Sequence, residues 1–304
     1  MKPIQTLLAT VVVISATLIA SSAVQASLLY VTDYVPSEDQ SANPYGVSVL
    51  NVQAIVPVTT ADTWRHGPLL GIPPSTENRE FQRGAIAVDG RIDVAGPFNH
   101  TYNLDGSGQV STICGLCQYV PYATDGTTDG QYNYTVAPET LGNSTVGIWR
   151  TDRDWRNESF LSPISAFLDQ GERVSGITYD RAGQSFWLLA TGGTTGAHFL
   201  ELSLDGSTLK SEFFSIFVGN GALAMDYADN TLWWVPSGDR TSDYYSLTQF
   251  SRQGVILSSA SINAGPSIYG AEFNLGSQTV PEPSVLALLG LGLLGLGIAR
   301  VRKN

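Results

Sequence analysis

An all-β body made of repeated units of about four strands follows from three observations on this 304-residue chain. Helical periodicity is almost absent. Short apolar stretches rich in aromatic residues alternate with turn clusters such as Asp-Gly, Ala-Asp-Asn and Asp-Gly-Ser, the pattern of strands joined by tight turns. One stretch also recurs at a fixed spacing. Gly176-Ile-Thr-Tyr-Asp180 leads through Phe186-Trp187-Leu188 to Leu204-Asp205-Gly206, and 46 residues later Ala222-Leu-Ala-Met-Asp226 leads through Leu232-Trp233-Trp234 to Phe250. Asp180 matches Asp226, Trp187 matches Trp233, and Leu204 matches Phe250 at that offset.

Within the unit, Ile177-Thr-Tyr reads as a first strand ending in an Asp-led turn. Ser185-Phe-Trp-Leu-Leu, apolar on both faces, reads as a deep second strand. His198 to Leu204 alternates and gives the third. Asp205-Gly206, where glycine supplies φ > 0, turns into Lys210-Ser-Glu-Phe-Phe as the fourth. Weaker echoes occur at Gly84-Ala-Ile-Ala-Val-Asp89, followed by Thr101-Tyr-Asn-Leu104-Asp105-Gly106, and at Gly270-Ala-Glu-Phe-Asn274. Gly142 to Arg150 belongs to an intervening unit that does not align well. Such a unit cannot bury its own faces, so neighbours must pack against it. A period in the forties with four strands per unit resembles a β-propeller, without the clean motif of one propeller family. The expectation is five or six four-stranded blades, with a β-sandwich as the alternative. Trp187, Trp233 and Trp234 are expected in the core.

Both ends read as addresses. Lys2, the apolar stretch Leu7 to Ala20 and the small residues of Val24-Gln25-Ala26 form a cleavable signal peptide over residues 1–26. At the other end, Val280-Pro281-Glu282-Pro283 cannot form a helix interior or a central strand, because proline lacks a donor and fixes φ. An uncharged run over 285–299 follows, expected as a short hydrophobic helix, and then Arg300, Arg302 and Lys303, which favour the cytoplasmic side. The run is shorter than the roughly 20 apolar residues of a stable spanning helix. This tail resembles the PEP-CTERM sorting signal. The resemblance implies an exported protein of a Gram-negative bacterium, held transiently at the inner membrane, processed by an exosortase and delivered to the cell surface or the medium. It also links the protein to exopolysaccharide and biofilm. The expected division is a signal over 1–26, a propeller-like body over 27–278 and a sorting tail over 279–304.

The chain carries 16 basic and 27 acidic residues. Setting aside Lys2, Arg300, Arg302, Lys303 and Glu282 leaves a body with 12 basic and 26 acidic residues, net −14. Nucleic acid is excluded as a partner, since its binding needs basic patches. Cys114 and Cys117 are the two cysteines, too few for a zinc site and placed between strand-like segments. A local disulfide in an oxidising compartment is favoured over a free, redox or metal-binding pair.

No catalytic motif stands out: Gly-x-Ser-x-Gly, His-Glu-x-x-His and a phosphate-binding glycine loop are all missing. Gly192-Gly193-Thr-Thr-Gly196 reads as a hairpin loop. Two oxygen-rich segments could supply ligands to Ca²⁺: Asp152 to Glu158 (with Asp154 and Asn157), and Asp125-Gly-Thr-Thr-Asp129-Gly130. The first reads better as a salt-bridged surface loop through Arg153 and Arg156, the second as a solvated turn. Asp89, Asp180 and Asp226 invite a carboxylate channel, but an Asp before a tight turn usually bonds the turn backbone. His100 and His198 both fall near third strands. The expected function is that of a non-enzymatic surface or matrix protein that binds a partner or polysaccharide. The alternative is a secreted propeller hydrolase or lactonase acting on a carbohydrate or ester, with Ca²⁺ as a cofactor.

Overall fold

Each strand is short and bounded by turn residues, so the chain builds antiparallel hairpins, and the hairpins assemble into five four-stranded sheets. The computed structural model describes residues 28–34, 45–52, 59–65, 85–95, 98–113, 125–138, 146–194, 196–216, 218–237, 244–263 and 267–277. The second blade holds β4 (Ala85–Val88), β5 (Arg91–Ala95), β6 (Phe98–Asn103) and β7 (Val110–Ile113). The third holds β8 (Gly126–Thr128), β9 (Asn133–Pro138), β10 (Val146–Thr151) and β11 (Ser159–Pro163). The fourth holds β12 (Arg173–Asp180), β13 (Ser185–Thr191), β14 (Ala197–Ser203) and β15 (Leu209–Ser215). The fifth holds β16 (Gly221–Asp226), β17 (Thr231–Pro236), β18 (Tyr244–Phe250) and β19 (Ile256–Asn263).

The first blade is assembled from both ends of the body. β1 (Leu28–Tyr34), β2 (Tyr45–Asn51) and β3 (Thr59–Arg65) receive β20 (Ser267–Phe273) as their innermost strand. β20 pairs antiparallel with β1 from Leu29↔Phe273 to Tyr34↔Ser267. At the bulge beside Thr32, its hydroxyl takes the Gly270 N–H at 2.8 Å. The innermost strands then touch in a cycle, β20 to β4, β8, β12, β16 and back to β20. The architecture is a five-bladed propeller, and all the described residues fall in one compact unit, Ala26–Ser277.

Burial grades outward along a blade where the side chains of its outer strand are described. In the fourth, every residue of β13 is buried, whereas outermost β15 alternates. A middle strand has a blade against each face, so it reads as a continuous apolar run; an edge strand wets one face. Trp187, Trp233 and Trp234 are all buried. Phe199 stacks on Phe213 at 4.4 Å and meets Phe250 of the next blade at 5.3 Å, which ties blades four and five through aromatic contact.

The repeat is real, with one correction. Asp180/Asp226 and Trp187/Trp233 occupy equivalent sites, but Trp187 pairs with Glu201 and Trp233 with Gln249. Phe250 is therefore equivalent to Leu202 and not to Leu204. The link between the second and third strands runs over residues 192–196 in the fourth blade and over 237–243 in the fifth, two residues longer. A slip of two keeps the same face of a strand, so the hydrophobic pattern hid it. Gly270 to Asn274 is the first strand of a further unit, as its echo implied, completed by the N-terminal strands.

The outer hairpins share one turn in four blades, closed by N–H bonds from Gly106 to Asn103, Trp155 to Asp152, Gly206 to Ser203 and Gly254 to Ser251. The donor residue lies at positive φ each time: +77°, +57°, +69° and +79°. Three blades use glycine there, and the third uses Trp155. Left-handed backbone costs a side-chain-bearing residue about 1–2 kcal/mol. Burial offsets it, for Trp155 is 1% exposed and packs on Ala85, Ala87 and Ala95 of the second blade. The small residues of β4 and β5 leave the gap that the indole fills.

Candidate functional site

Where five strand edges converge, backbone N–H groups face one another with little room for water, and buried donors left unpaired are destabilising. The sequence answers with a few polar side chains on the innermost strands. Counting back from the residue that opens the first turn of each blade (Asp89, Asp129, Asp180, Asp226 and Asn274), the fourth position is Ala85, Asp125, Gly176, Ala222 or Gly270. The second is Ala87, Thr127, Thr178, Ala224 or Glu272.

Asp125 is the hub. Its Oδ2 accepts the N–H groups of Leu223 at 2.9 Å and Ile177 at 3.1 Å. Its Oδ1 accepts those of Ala271 at 3.1 Å and its own neighbour Gly126 at 2.9 Å. One carboxylate thus ties together the third, fourth, fifth and first blades, and its four acceptor positions are filled. Small neighbours make this possible: a Cβ on Gly176 would lie 2.9 Å from the Leu223 nitrogen. Thr127 Oγ1 accepts the Tyr179 N–H at 2.9 Å, and Thr178 Oγ1 accepts that of Met225 at 2.9 Å. Thr178 also donates to Glu272 at 3.2 Å, whose Oε1 takes the Phe273 N–H at 3.1 Å.

Burial pushes the Asp125 carboxyl well above its ordinary value, and its four backbone bonds oppose that rise. Glu272 is also pushed well up, by burial first, with the Asp125 charge adding to the rise. Between the ordinary carboxylate value of 4.5 and its raised one, Glu272 holds more proton in the folded than in the unfolded chain, so stability falls as pH rises through that window. His100, lowered to about 4 by burial, acts in the opposite sense below its ordinary 6.5, where stability falls as pH falls. Comparison with Glu272→Gln cancels the histidine. The melting-temperature difference is expected to move in favour of the variant as pH goes from about 5 to about 8. A difference independent of pH would show that Glu272 titrates as an ordinary carboxyl.

Around this hub, two arginines link blades by one device. Arg153, from the outer hairpin of the third blade, reaches Asp89 at 3.1 Å and Asp93 at 2.9 Å in the second. Arg252, from the outer hairpin of the fifth, pairs with Asp180 and with Glu201 at 3.2 Å in the fourth. The repeated aspartates serve turns and these pairs: Asp180 also accepts from Gly183 N–H at 2.8 Å, and Asp226 from Ala228 N–H at 2.9 Å.

The segment Asp152 to Glu158 is a salt-bridged hairpin as expected, but it is not all surface. Asp152 accepts from the Asp154, Arg156 and Asn157 nitrogens, Asp154 pairs with Arg91 at 3.0 Å, and Trp155 is buried. The expectation of a solvated turn at Asp125–Gly130 is overturned: it contains innermost strand β8, with Asp125, Thr127 and Thr128 buried. Its polar Gly-Thr-Thr core concealed it, although Asp129 closes it at the place where Asp180 closes β12. Glu272 carries no sequence signal beyond the spacing of the echo in which it lies. His198 lies on β14 and is 3% exposed. Cys114, Cys117, Val280, Pro281, Glu282, Pro283, Arg300, Arg302, Lys303 and the expected C-terminal helix lie outside the described residues.

A family model for the PEP-CTERM protein-sorting motif matches residues 279–303. No curated protein sequence matches the chain. Among solved structures, a chain of a nidogen/laminin complex is 13% identical, with 82% of this chain and 98% of that one covered at a TM-score of 0.45. An engineered GH43 glycoside hydrolase with endo-xylanase and exo-arabinofuranosidase activity is 12% identical, with 81% and 53% covered at 0.47. TolB from Acinetobacter baumannii is 9% identical, with 81% and 66% covered at 0.43. The matched motif, separated by five residues from the closing strand of the ring, makes this chain an exported five-bladed propeller protein that carries a PEP-CTERM sorting motif with its C-terminal membrane-anchoring signal.

Proposed function

We propose that the protein is a surface or extracellular-matrix component of a Gram-negative bacterium, a non-enzymatic propeller that binds a partner or polysaccharide in exopolysaccharide or biofilm. Residues 1–26 direct export and are removed. The tail holds the chain at the inner membrane through 285–299 and the basic residues 300–303, and an exosortase cuts at Val280-Pro281-Glu282-Pro283. The observation that carries this reading is the sorting motif at 279–303, placed just after β20. A cut there would leave every described strand in the released body.

The axial carboxylates favour binding over hydrolysis. A propeller hydrolase needs carboxylates that a substrate can reach. Asp125 and Glu272 are 2% and 1% exposed, and both are engaged with strand-edge N–H and hydroxyl groups. Deleting residues 281–304 is expected to stop surface delivery, with the protein retained in the periplasmic fraction. Unchanged surface delivery of the deleted chain would defeat the proposal.

A further inference from the structure

We infer a divalent transition-metal site on the fourth blade, formed by Asp169, Glu172 and His198 and braced by Glu212. It goes beyond the sorting and binding roles above and rests on neither. Asp169 and Glu172 flank the turn that enters β12, closed by the Glu172 N–H on the Asp169 carbonyl at 3.1 Å. His198 stands at the start of β14, where the Gly192–Gly196 loop delivers it. One ligand atom from each of the three lies within 4.8 Å of the others. His198 Nδ1 and Glu172 Oε2 are 3.2 Å apart. Adjacent ligand atoms around a tetrahedral metal with bonds of about 2.0–2.2 Å lie about 3.3–3.6 Å apart, so this pair already spans one edge.

Two further observations separate the cluster from a chance group of acids. The Glu172 side chain is 0% exposed, its Oε2 accepts the Asp169 N–H at 2.8 Å, and its Oε1 is buried with no hydrogen-bond partner. A carboxylate oxygen enclosed in this way needs a proton or a cation. The other face of the histidine is arranged as a metal ligand requires. Nε2 lies 3.1 Å from Glu212 Oε2, and in the tautomer protonated at Nε2 the ring donates to that carboxylate and turns its Nδ1 lone pair toward Glu172. Phe214 stacks on the imidazole at 4.1 Å and 17°, which holds its plane.

One imidazole with two carboxylates suits Zn²⁺ better than Ca²⁺ or Mg²⁺, which prefer all-oxygen shells. Three protein ligands leave a fourth position for water or an oxygen-bearing ligand. Exposed Asp169 at the rim is where such a ligand would enter.

The test is Zn²⁺ titration of the chelator-treated full-length protein, purified without a histidine tag, by calorimetry and thermal shift. One saturable Zn²⁺ per chain and a raised melting temperature are expected. Asp169→Asn changes only an exposed side chain and keeps the fold, and it is expected to weaken binding at least tenfold; His198→Gln is expected to do the same. Glu212→Gln is expected to keep the stoichiometry and weaken binding about 10- to 100-fold. Absence of saturable binding up to about 100 µM Zn²⁺, or binding that Asp169→Asn and His198→Gln both leave unchanged, overturns the assignment.

Discussion

Replacing Asp125 by alanine is expected to unfold the propeller, the largest effect of any single substitution in the body. The N–H groups of Gly126, Ile177, Leu223 and Ala271 lose their acceptor together. At about 1–3 kcal/mol for each buried unsatisfied group, the loss is about 4–12 kcal/mol. A domain of ordinary stability has about 5–15 kcal/mol in total. Asp125→Asn separates shape from charge. Its carbonyl keeps two of the bonds, but its NH₂ faces two donors, so about half the loss is expected. Chemical denaturation followed by tryptophan fluorescence reads both, since Trp187 and Trp233 are buried. An alanine variant as stable as the parent would mean that water replaces the carboxylate at the axis, and the hub would lose its structural role.

The second large effect concerns where the chain can be cut. A body ending at Ser277 is expected to keep its melting temperature, whereas one ending at Pro266 is expected not to fold. The shorter chain lacks β20, and with it buried Ile268, Ala271 and Phe273, the ladder to β1 and the Ala271 N–H on Asp125. Loss of the Phe273 side chain alone is worth about 3–5 kcal/mol, and that of Ile268 about 2–5 kcal/mol. Circular dichroism melts of chains from residue 27 decide it. Folding of the shorter chain would show that the ring stays closed without its last strand. If both predictions hold, a processing enzyme acting at 280–283 would release the body without opening the ring, while an error of a dozen or so residues upstream would destroy it.

Much of the fold is legible from hydrophobic order alone. β13 and β17 announce themselves as unbroken apolar runs, because a strand between two blades is buried on both faces. The repeat of Asp180 and Asp226 marks the end of the first strand in two blades, and Asp89 marks it in a third. The third blade is harder to read. Its innermost strand, Gly126-Thr127-Thr128, has no apolar residue, and Trp155 stands where the outer hairpins of the second, fourth and fifth blades place glycine. Both exceptions are answers to neighbours. Thr127 satisfies the Tyr179 N–H of the next blade, and the indole fills a gap left by the alanines of the previous one.

The sequence by itself determined the sorting address, the all-β class and the repeating unit. Each of these rests on local order: a processing motif and a hydrophobic period are read along the chain. Only the tertiary structure decided the count of five blades, the closure of the ring by β20, the role of Asp125 and Glu272 and the meeting of His198 with Glu172. The physical reason is distance along the chain. Asp125 bonds Leu223 and Ala271, 98 and 146 residues away, and Thr178 meets Glu272 across 94. Such contacts come from blades arriving around a common axis, and no local pattern of residues encodes where that axis lies.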